Sequence, residues 1–274
     1  MAADDAGDAR DSPGRAYLFD NAAQQTSTRF NALPALFDPE TIRHLSELGV
    51  GAGWRCLEIG GGGGSIAQWL SERVGPVGRV LATDIDTRFL ETLGRPNLEV
   101  RRHNIVTDPL PQAAFDLAHT RLLLMHLPER EKALERIVAA LKPGGWLLAE
   151  EFDAYSMRPD AGVNPVELFS KTNAAVQRVM MESGVDLRYG RLLPGRLRAH
   201  GLVDIAAEGR MFLWQPGTLT ASLWRANYEQ LREAILAAGY VTPQEFEQHL
   251  ALLDRGDFMN PSPVMWSVWG RRAP

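Results

Sequence analysis

The densest chemical signal in the 274-residue chain is LEIGGGGGS, Leu57 to Ser65: an apolar run ending in an acidic residue, then five consecutive glycines, then a polar start to a helical pattern. Glycines let a backbone turn sharply and approach a ligand closely, and the helix that follows offers unpaired amides and a positive dipole end. A ligand carrying an anionic group is expected there. A flexible linker is the bland alternative, but linkers do not sit between a buried strand and an amphipathic helix. The spacing places glycines at Gly60, Gly62 and Gly64 after Glu58, with Ser65 where a Gly-x-Gly-x-x-Gly dinucleotide fingerprint could want its last glycine, so that fingerprint fits poorly. Asp84 closes the next strand-like run, RVLATD; a carboxylate there can accept from both hydroxyls of a ribose, with a solvated turn aspartate or a helix cap as the alternative.

Further along, Glu150, Glu151 and Asp153 cluster after WLLA, at the edge where ligands bind in open α/β sheets. Carboxylates in such a group can hold a divalent cation; solvated or hydrogen-bonded groups are the default expectation, and no metal is expected. His126, in LLMHLPERE, has a side chain that titrates near neutral pH. Cys56 is the single cysteine, so neither an internal disulfide nor a zinc-type Cys and His spacing is available.

These residues need elements to hold them. Strand-like and helix-like periods alternate from 55 to 152: RCLEI (55–59), a helix from Ser65 to Glu72, RVLATD (79–84), a helix from Thr87 to Leu93, LEVRR (98–102), FDLAHT (115–120), a helix from Glu129 to Leu141, and WLLAEEF (146–152). Such alternation implies a parallel sheet with right-handed crossovers. Asp38-Pro39-Glu40 looks like an N-cap with proline at the first helical position, starting a helix through Leu48. Helices are expected at 165–183 and 190–200, a strand at 203–214, two helices within 218–253, the second opened by the capping-box spacing of Thr242-Pro243-Gln244-Glu245, and a last, antiparallel strand in PVMWSVWGRR. The reading is one α/β unit, a doubly wound, mostly parallel seven-stranded sheet over 17–274, with a disordered polar leader at 1–16 and cap helices at about 160–185 and 218–253.

Composition bounds the partners. Hydrophobic residues at 45% and charged residues at 23% are ordinary for a globular chain. A net charge of −5 with scattered Lys and Arg leaves no footprint for a nucleic acid backbone, and no stretch reaches the roughly 18 apolar residues of a membrane span. The expectation is a cytoplasmic protein with a small-molecule partner, no nucleic acid and no membrane. The apolar helices within 218–253 are expected to cover either the pocket or a second subunit, which keeps a homodimer among the expected assemblies.

Taken together, LEIGGGGGS, VLATDID, RRHNIVTDPLP, FDLAHTRLLLMHLP and LKPGGWLLAEEF stand in the order and spacing of the class I S-adenosylmethionine-dependent methyltransferases, and the chain resembles their small-molecule branch of ubiquinone and menaquinone methyltransferases and natural-product tailoring enzymes. The resemblance covers Trp54 to Phe152. It implies a Rossmann-like fold, S-adenosylmethionine as cofactor and methyl transfer to an oxygen, nitrogen or carbon nucleophile. It further implies that Glu58, Gly60, Gly61 and Gly62 flank the methionyl part, Asp84 holds the ribose, Ile85 packs on the adenine, Asn104 with Ile105 meets the adenine amine, and His119 and Thr120 approach the sulfonium end. The segment after the fourth strand passes over the methyl group in this fold, which makes His126 the first candidate for a base, with a capping or packing role as its alternative. Arg121 could orient a substrate through its planar fork or serve as a scaffold ion pair, and Glu151 is read as a second substrate contact. Phe169, Met180, Met181, Trp224, Tyr228 and Phe246 are candidates to roof the pocket, and the segment with Tyr17, Phe19, Phe30 and Phe37 is expected to close over the opening. A nucleic-acid methyltransferase is disfavoured by the missing Pro-Pro-aromatic motif, and a nicotinamide enzyme by the glycine spacing; a cyclase-like or binding protein that keeps the cofactor without methylating stays open.

Overall fold

The computed structural model describes residues 26–157 and 165–274, with side chains of the first helix described from Ala32 onward. The expected leader at 1–16, Tyr17, Phe19 and the side chain of Phe30 lie outside the described residues, as does the start of the first expected cap helix.

In chain order the elements are α1 (Thr26–Glu47), β1 (Arg55–Ile59), α2 (Ser65–Val74), β2 (Arg79–Asp84), β3 (Leu98–Arg102), β4 (Phe115–Arg121), α3 (Arg130–Ala140), β5 (Leu141–Asp153), α4 (Val166–Glu182), α5 (Tyr189–Ala199), β6 (Leu202–Arg210), β7 (Leu213–Trp214), α6 (Leu219–Ala237), α7 (Pro243–Leu253), β8 (Asn260–Pro261) and β9 (Val264–Arg272). Seven strands form one sheet in the order β3-β2-β1-β4-β5-β9-β6, and β9 runs antiparallel to both its neighbours. This is the doubly wound Rossmann-like arrangement that the alternation implies. The order reverses between β1 and β4, and open α/β sheets bind ligands in the crevice at such a switch point.

The buried strands follow the sequence pattern closely, because runs such as Cys56-Leu57-Glu58-Ile59 are covered on both faces and must be apolar nearly throughout. Three expectations are corrected. The helix expected to begin at Asp38-Pro39 is the C-terminal part of α1, which starts at Thr26 and carries Pro34 and Pro39 inside it. Each proline removes one intrahelical hydrogen bond, but burial of Phe37, Thr41, His44 and Leu45 along one face holds the helix on the sheet. The helix expected at Thr87–Leu93 is only a 3-10 turn over Leu90–Leu93, stopped by left-handed Gly94. The strand expected over 203–214 breaks after Arg210, where Phe212 exchanges backbone and side-chain hydrogen bonds with Ser262 and the chain leaves the main sheet to form the short β7–β8 ladder.

Four buried apolar clusters form among the described residues, one of them packing α1 and α2 on the sheet through Leu45, Ile66, Leu70 and Leu117, and two of them bear on the site. One lies between the sheet and α1, α3 and α5, built on residues such as Leu57, Ala118, Leu134 and Leu147. The other lies among α4, α6, α7 and the β7–β8 ladder, where Phe169, Trp214, Tyr228, Leu231 and Phe246 pack together. This second cluster stands over the carboxyl ends of the central strands.

Candidate functional site

A cavity of about 460 Å³, within the usual range for small-molecule sites, opens at the carboxyl ends of β1, β2, β4 and β5 and runs under α1, α4 and α6. Its floor is the glycine loop. Gly60 and Gly61 both donate to the Thr83 carbonyl (2.8 and 3.1 Å), folding the loop back against β2. Gly60, Gly62 and Gly64 have φ of 70°, 50° and 84°, which only glycine adopts without strain. A Cβ at Gly61 would meet Leu90 at 3.0 Å, and one at Gly60 would meet Leu123 at 3.2 Å. The loop is therefore a cradle whose surface is bare backbone. Ser65 and Ile66, the first residues of α2, also line the cavity and bring its positive end to it.

Asp84, at the end of β2, faces this loop. One oxygen accepts from Gly62 N at 2.9 Å and the other from Asp86 N at 3.0 Å. Burial raises its pKa against these amide bonds. A carboxylate has about four acceptor positions, so the group that shapes the loop retains capacity for hydroxyls of a ligand in the cavity. Ile85 lines the cavity with its side chain 54% exposed, an apolar surface offered to a ring. Asn104 and Ile105 also line it, next to His103. The Asn104 side-chain oxygen already accepts from Val106 N at 2.9 Å, so a ligand amine would share that oxygen. Glu58 lines the cavity from β1.

His119 and Thr120 do not line the cavity; both are fully buried in the sheet. Glu58 and His119 are register partners across β1 and β4, and Glu150 extends the same face on β5. His119 Nδ1 donates to Glu58 at 2.7 Å and Nε2 donates to Glu150 at 3.2 Å. Burial disfavours the imidazolium, but the two carboxylates outweigh it and hold the His119 pKa up at about 9. The same contact, against burial, pulls Glu150 down to about 2. Ser267 and Thr41 donate their hydroxyls to Glu150, and Arg121 donates to Thr41 (2.8 Å) and to Asp38 (2.8 Å). A polar chain thus runs beneath the cavity from Glu58 to α1. His119 acts on a ligand only through Glu58, and Arg121, although it borders the cavity, is committed to α1 as a scaffold ion pair.

Glu151 faces the opposite side of β5 and is fully buried outside the cavity lining. Its Oε1 accepts from Leu123 N (3.1 Å) and Leu124 N (2.6 Å), while Oε2 has no hydrogen-bond partner among the described residues. Burial pushes its pKa up to about 8, against those amide bonds. Rather than touching a substrate, it fixes the turn that delivers Leu123, Met125 and His126 to the cavity wall. Asp153 is held by Arg191, with 2.7 Å hydrogen bonds to both its oxygens, so the three clustered carboxylates take three different sets of partners. Among the described residues, ligand spacing for a metal occurs at Glu40, His44 and Glu208, where Arg43 and Arg210 already pair with the carboxylates.

His126 lines the cavity, as do Met180, Trp224 and Tyr228 from the expected roof. Phe169 and Phe246 belong to the second core instead, and Met181 points outward, 43% exposed. Phe37 packs edge-on against Phe152 and Phe212 rather than lining the opening. Leu33 and Pro34 of α1 and the amides Asn173, Gln177 and Asn227 are lining residues that the motif reading missed. The four-residue spacing of Asn173 and Gln177 on one face of a largely apolar helix was the available signal.

Residues 57–149 match the family model described as a methyltransferase domain. The chain is 31% identical over 156 residues to methyltransferase str2 of Strobilurus tenacellus, covering 57% of this chain and 55% of that protein. It is 36% identical over 115 residues to the ubiquinone/menaquinone biosynthesis C-methyltransferase UbiE of Laribacter hongkongensis, covering 39% of this chain and 47% of the relative. The chain thus spans about half the length of the curated relatives it matches. Among solved structures it is similar in fold to YcgJ of Bacillus subtilis (TM-score 0.58, 15% identity, 86% of this chain and 99% of the other). It is also similar to Haemonchus contortus phosphoethanolamine N-methyltransferase 2 in complex with S-adenosyl-L-methionine (TM-score 0.58, 16% identity, 94% and 60%). The glycine cradle and Asp84 fall inside the matched segment, and residues 57–149, within a sheet of this order, form a class I S-adenosylmethionine-dependent methyltransferase domain.

Proposed function

We propose that the protein transfers the methyl group of S-adenosylmethionine to an oxygen, nitrogen or carbon nucleophile of a small molecule held beneath the cap, in the manner of natural-product tailoring enzymes of the cytoplasm. The observation that carries this reading is the continuity of one cavity: Asp84 and the bare glycine backbone form one end, and His126, Trp224 and Tyr228 border it beyond. When bound, the cofactor supplies a methyl group activated by a positively charged sulfur. The chain's own residues then have three tasks. Gly60 to Gly63, Asp84 and Ile85 seat the nucleoside and methionyl parts; the cap excludes water and aligns the acceptor; and His126 is proposed to take up a proton when the acceptor atom carries one. Glu58, backed by His119, would lie beside the methionyl part of the cofactor.

A small-molecule acceptor is proposed rather than a nucleic acid because the cavity runs under the cap helices. The test is calorimetry with S-adenosylmethionine and, in parallel, NAD. Saturable binding of the sulfonium cofactor alone is expected, weakened about tenfold or more by Asp84→Ala, which removes both a ligand contact and the Gly62 anchor. Preference for NAD, or an affinity untouched by the substitution, would overturn the assignment.

A further inference from the structure

Resting on that reading of the site, we infer that the acceptor is an uncharged, flat, largely apolar molecule bearing hydroxyl or carbonyl oxygens, which are read by a rung of cap amides formed by Asn173, Gln177 and Asn227. The half of the cavity away from the glycine loop is walled by Met125, Phe152, Val176, Met180, Trp224 and Leu231. Trp224 is fixed in place by Trp214 and Phe152, with ring centroids 4.8 and 5.8 Å away, so it forms a wall whose position is set before any ligand arrives. Flat apolar molecules suit such a wall.

Besides Arg121, His126, Ser183 and Tyr228, the polar side chains on this surface are three amides. Asn173 and Gln177 lie one turn apart on α4, and Asn227 lies on α6, which packs against α4. The Asn227 side-chain oxygen is buried and has no hydrogen-bond partner among the described residues. Among the described residues, the side chain of Gln177 is tied to the protein by a long 3.5 Å contact from its amide nitrogen to the Ala154 carbonyl. Buried polar atoms are ordinarily paired, and a side-chain amide that borders the cavity with its oxygen unpaired can turn to meet a group on the occupant. Side-chain amides both donate and accept, so the rung can address hydroxyl and carbonyl groups alike.

The charge pattern agrees. Among the described residues, the formal charge bordering this half is Arg121, already engaged by Asp38 and Thr41. An ammonium or carboxylate entering here would lose its hydration against apolar walls and neutral amides; a neutral ring with oxygen substituents would lose little.

The experiment uses the full chain saturated with S-adenosylhomocysteine and three two-ring probes: 1,3-dihydroxynaphthalene, 1-naphthoate and 1-naphthylmethylammonium. The diol is expected to bind about tenfold or more tightly than either ion, and Asn227→Leu to weaken the diol about tenfold while leaving the affinity for S-adenosylhomocysteine unchanged. Asn227→Asp, which places a carboxylate on the rung, is expected to raise the affinity for the naphthylmethylammonium probe above that for the diol. An ion that binds the unsubstituted chain as well as the diol does would overturn the inference. So would an Asn227→Leu protein that melts normally and holds the diol as before. Binding of S-adenosylhomocysteine with none of the three probes retained would sink the acceptor inference alone, whereas failure to bind S-adenosylhomocysteine would remove the cofactor reading beneath it.

Discussion

Glu150 and Glu151 are adjacent in the chain, and the alternation of side chains along β5 gives them opposite surroundings. Glu150 meets His119 and two hydroxyls and stays ionised down to about pH 2; Glu151 meets only backbone amides and holds its proton up to about pH 8. The consequences for stability have opposite signs. Glu150, with its pKa below the ordinary 4.5, contributes stability that is present above pH 4.5 and lost as pH falls toward 2, and His119 contributes stability that is present below its ordinary 6.5 and lost as pH rises through about 9. Glu151, raised above 4.5, favours the folded state in its protonated form, so its contribution is present at acid pH and lost as pH climbs through about 8. Glu151→Gln keeps an acceptor for Leu123 and Leu124 and cannot ionise. Urea unfolding at pH 6 to 9 is expected to show a shallower loss of stability in the variant than in the unsubstituted protein, the remaining slope belonging to His119. Parallel curves would mean that Glu151 is ionised throughout. The sequence placed Glu58, His119 and Glu151 near the site but not their roles, because a period of two tells which residues share a face without telling what covers that face.

At the scale of elements, local signals were reliable where the chain's own neighbours answer them. Thr242-Pro243-Gln244-Glu245 forms the full capping box: Thr242 accepts from Glu245 N, and the Glu245 carboxylate accepts in turn from Thr242 N. Thr242→Ala is expected to cost about 1 kcal/mol, measured as a shift in the urea midpoint at unchanged slope, since α7 belongs to the cap core; no shift would mean that the carboxylate contact to Thr242 N suffices. Asp38-Pro39 carries similar lettering, yet the helix runs through it. There the Asp38 carboxylate answers Arg121, more than eighty positions away, rather than a nearby amide. Capping chemistry is local, but whether it is used depends on competing partners that the local window does not contain. The same holds for β6, where the apolar period continues to Trp214 while the backbone departs at Phe212 to meet Ser262.

For the whole molecule, two of the buried clusters divide the cavity between them: the sheet and its helices carry the glycine loop and Asp84, and the cap, with its own aromatic cluster, walls the far half. Phe246 is fully buried in the cap and absent from the cavity wall. Phe246→Ala is therefore expected to cost about 3 to 5 kcal/mol of stability, read by chemical denaturation, while the affinity for S-adenosylhomocysteine stays within about threefold of the original; a comparable loss of cofactor affinity would show that the cap and the cofactor end are not separable. The sequence by itself determined the strands of the central sheet, the glycine cradle and the carboxylate at the end of β2, because each is written in consecutive residues whose periodicity or backbone freedom admits few alternatives. Only the tertiary structure decided that His119 is a buried strut rather than a ligand contact, that Arg121 belongs to α1, and that Asn173, Gln177 and Asn227 share one cavity. Those outcomes depend on pairings across about thirty to more than eighty residues, and nothing in the local chemistry of an amide or an imidazole names its distant partner.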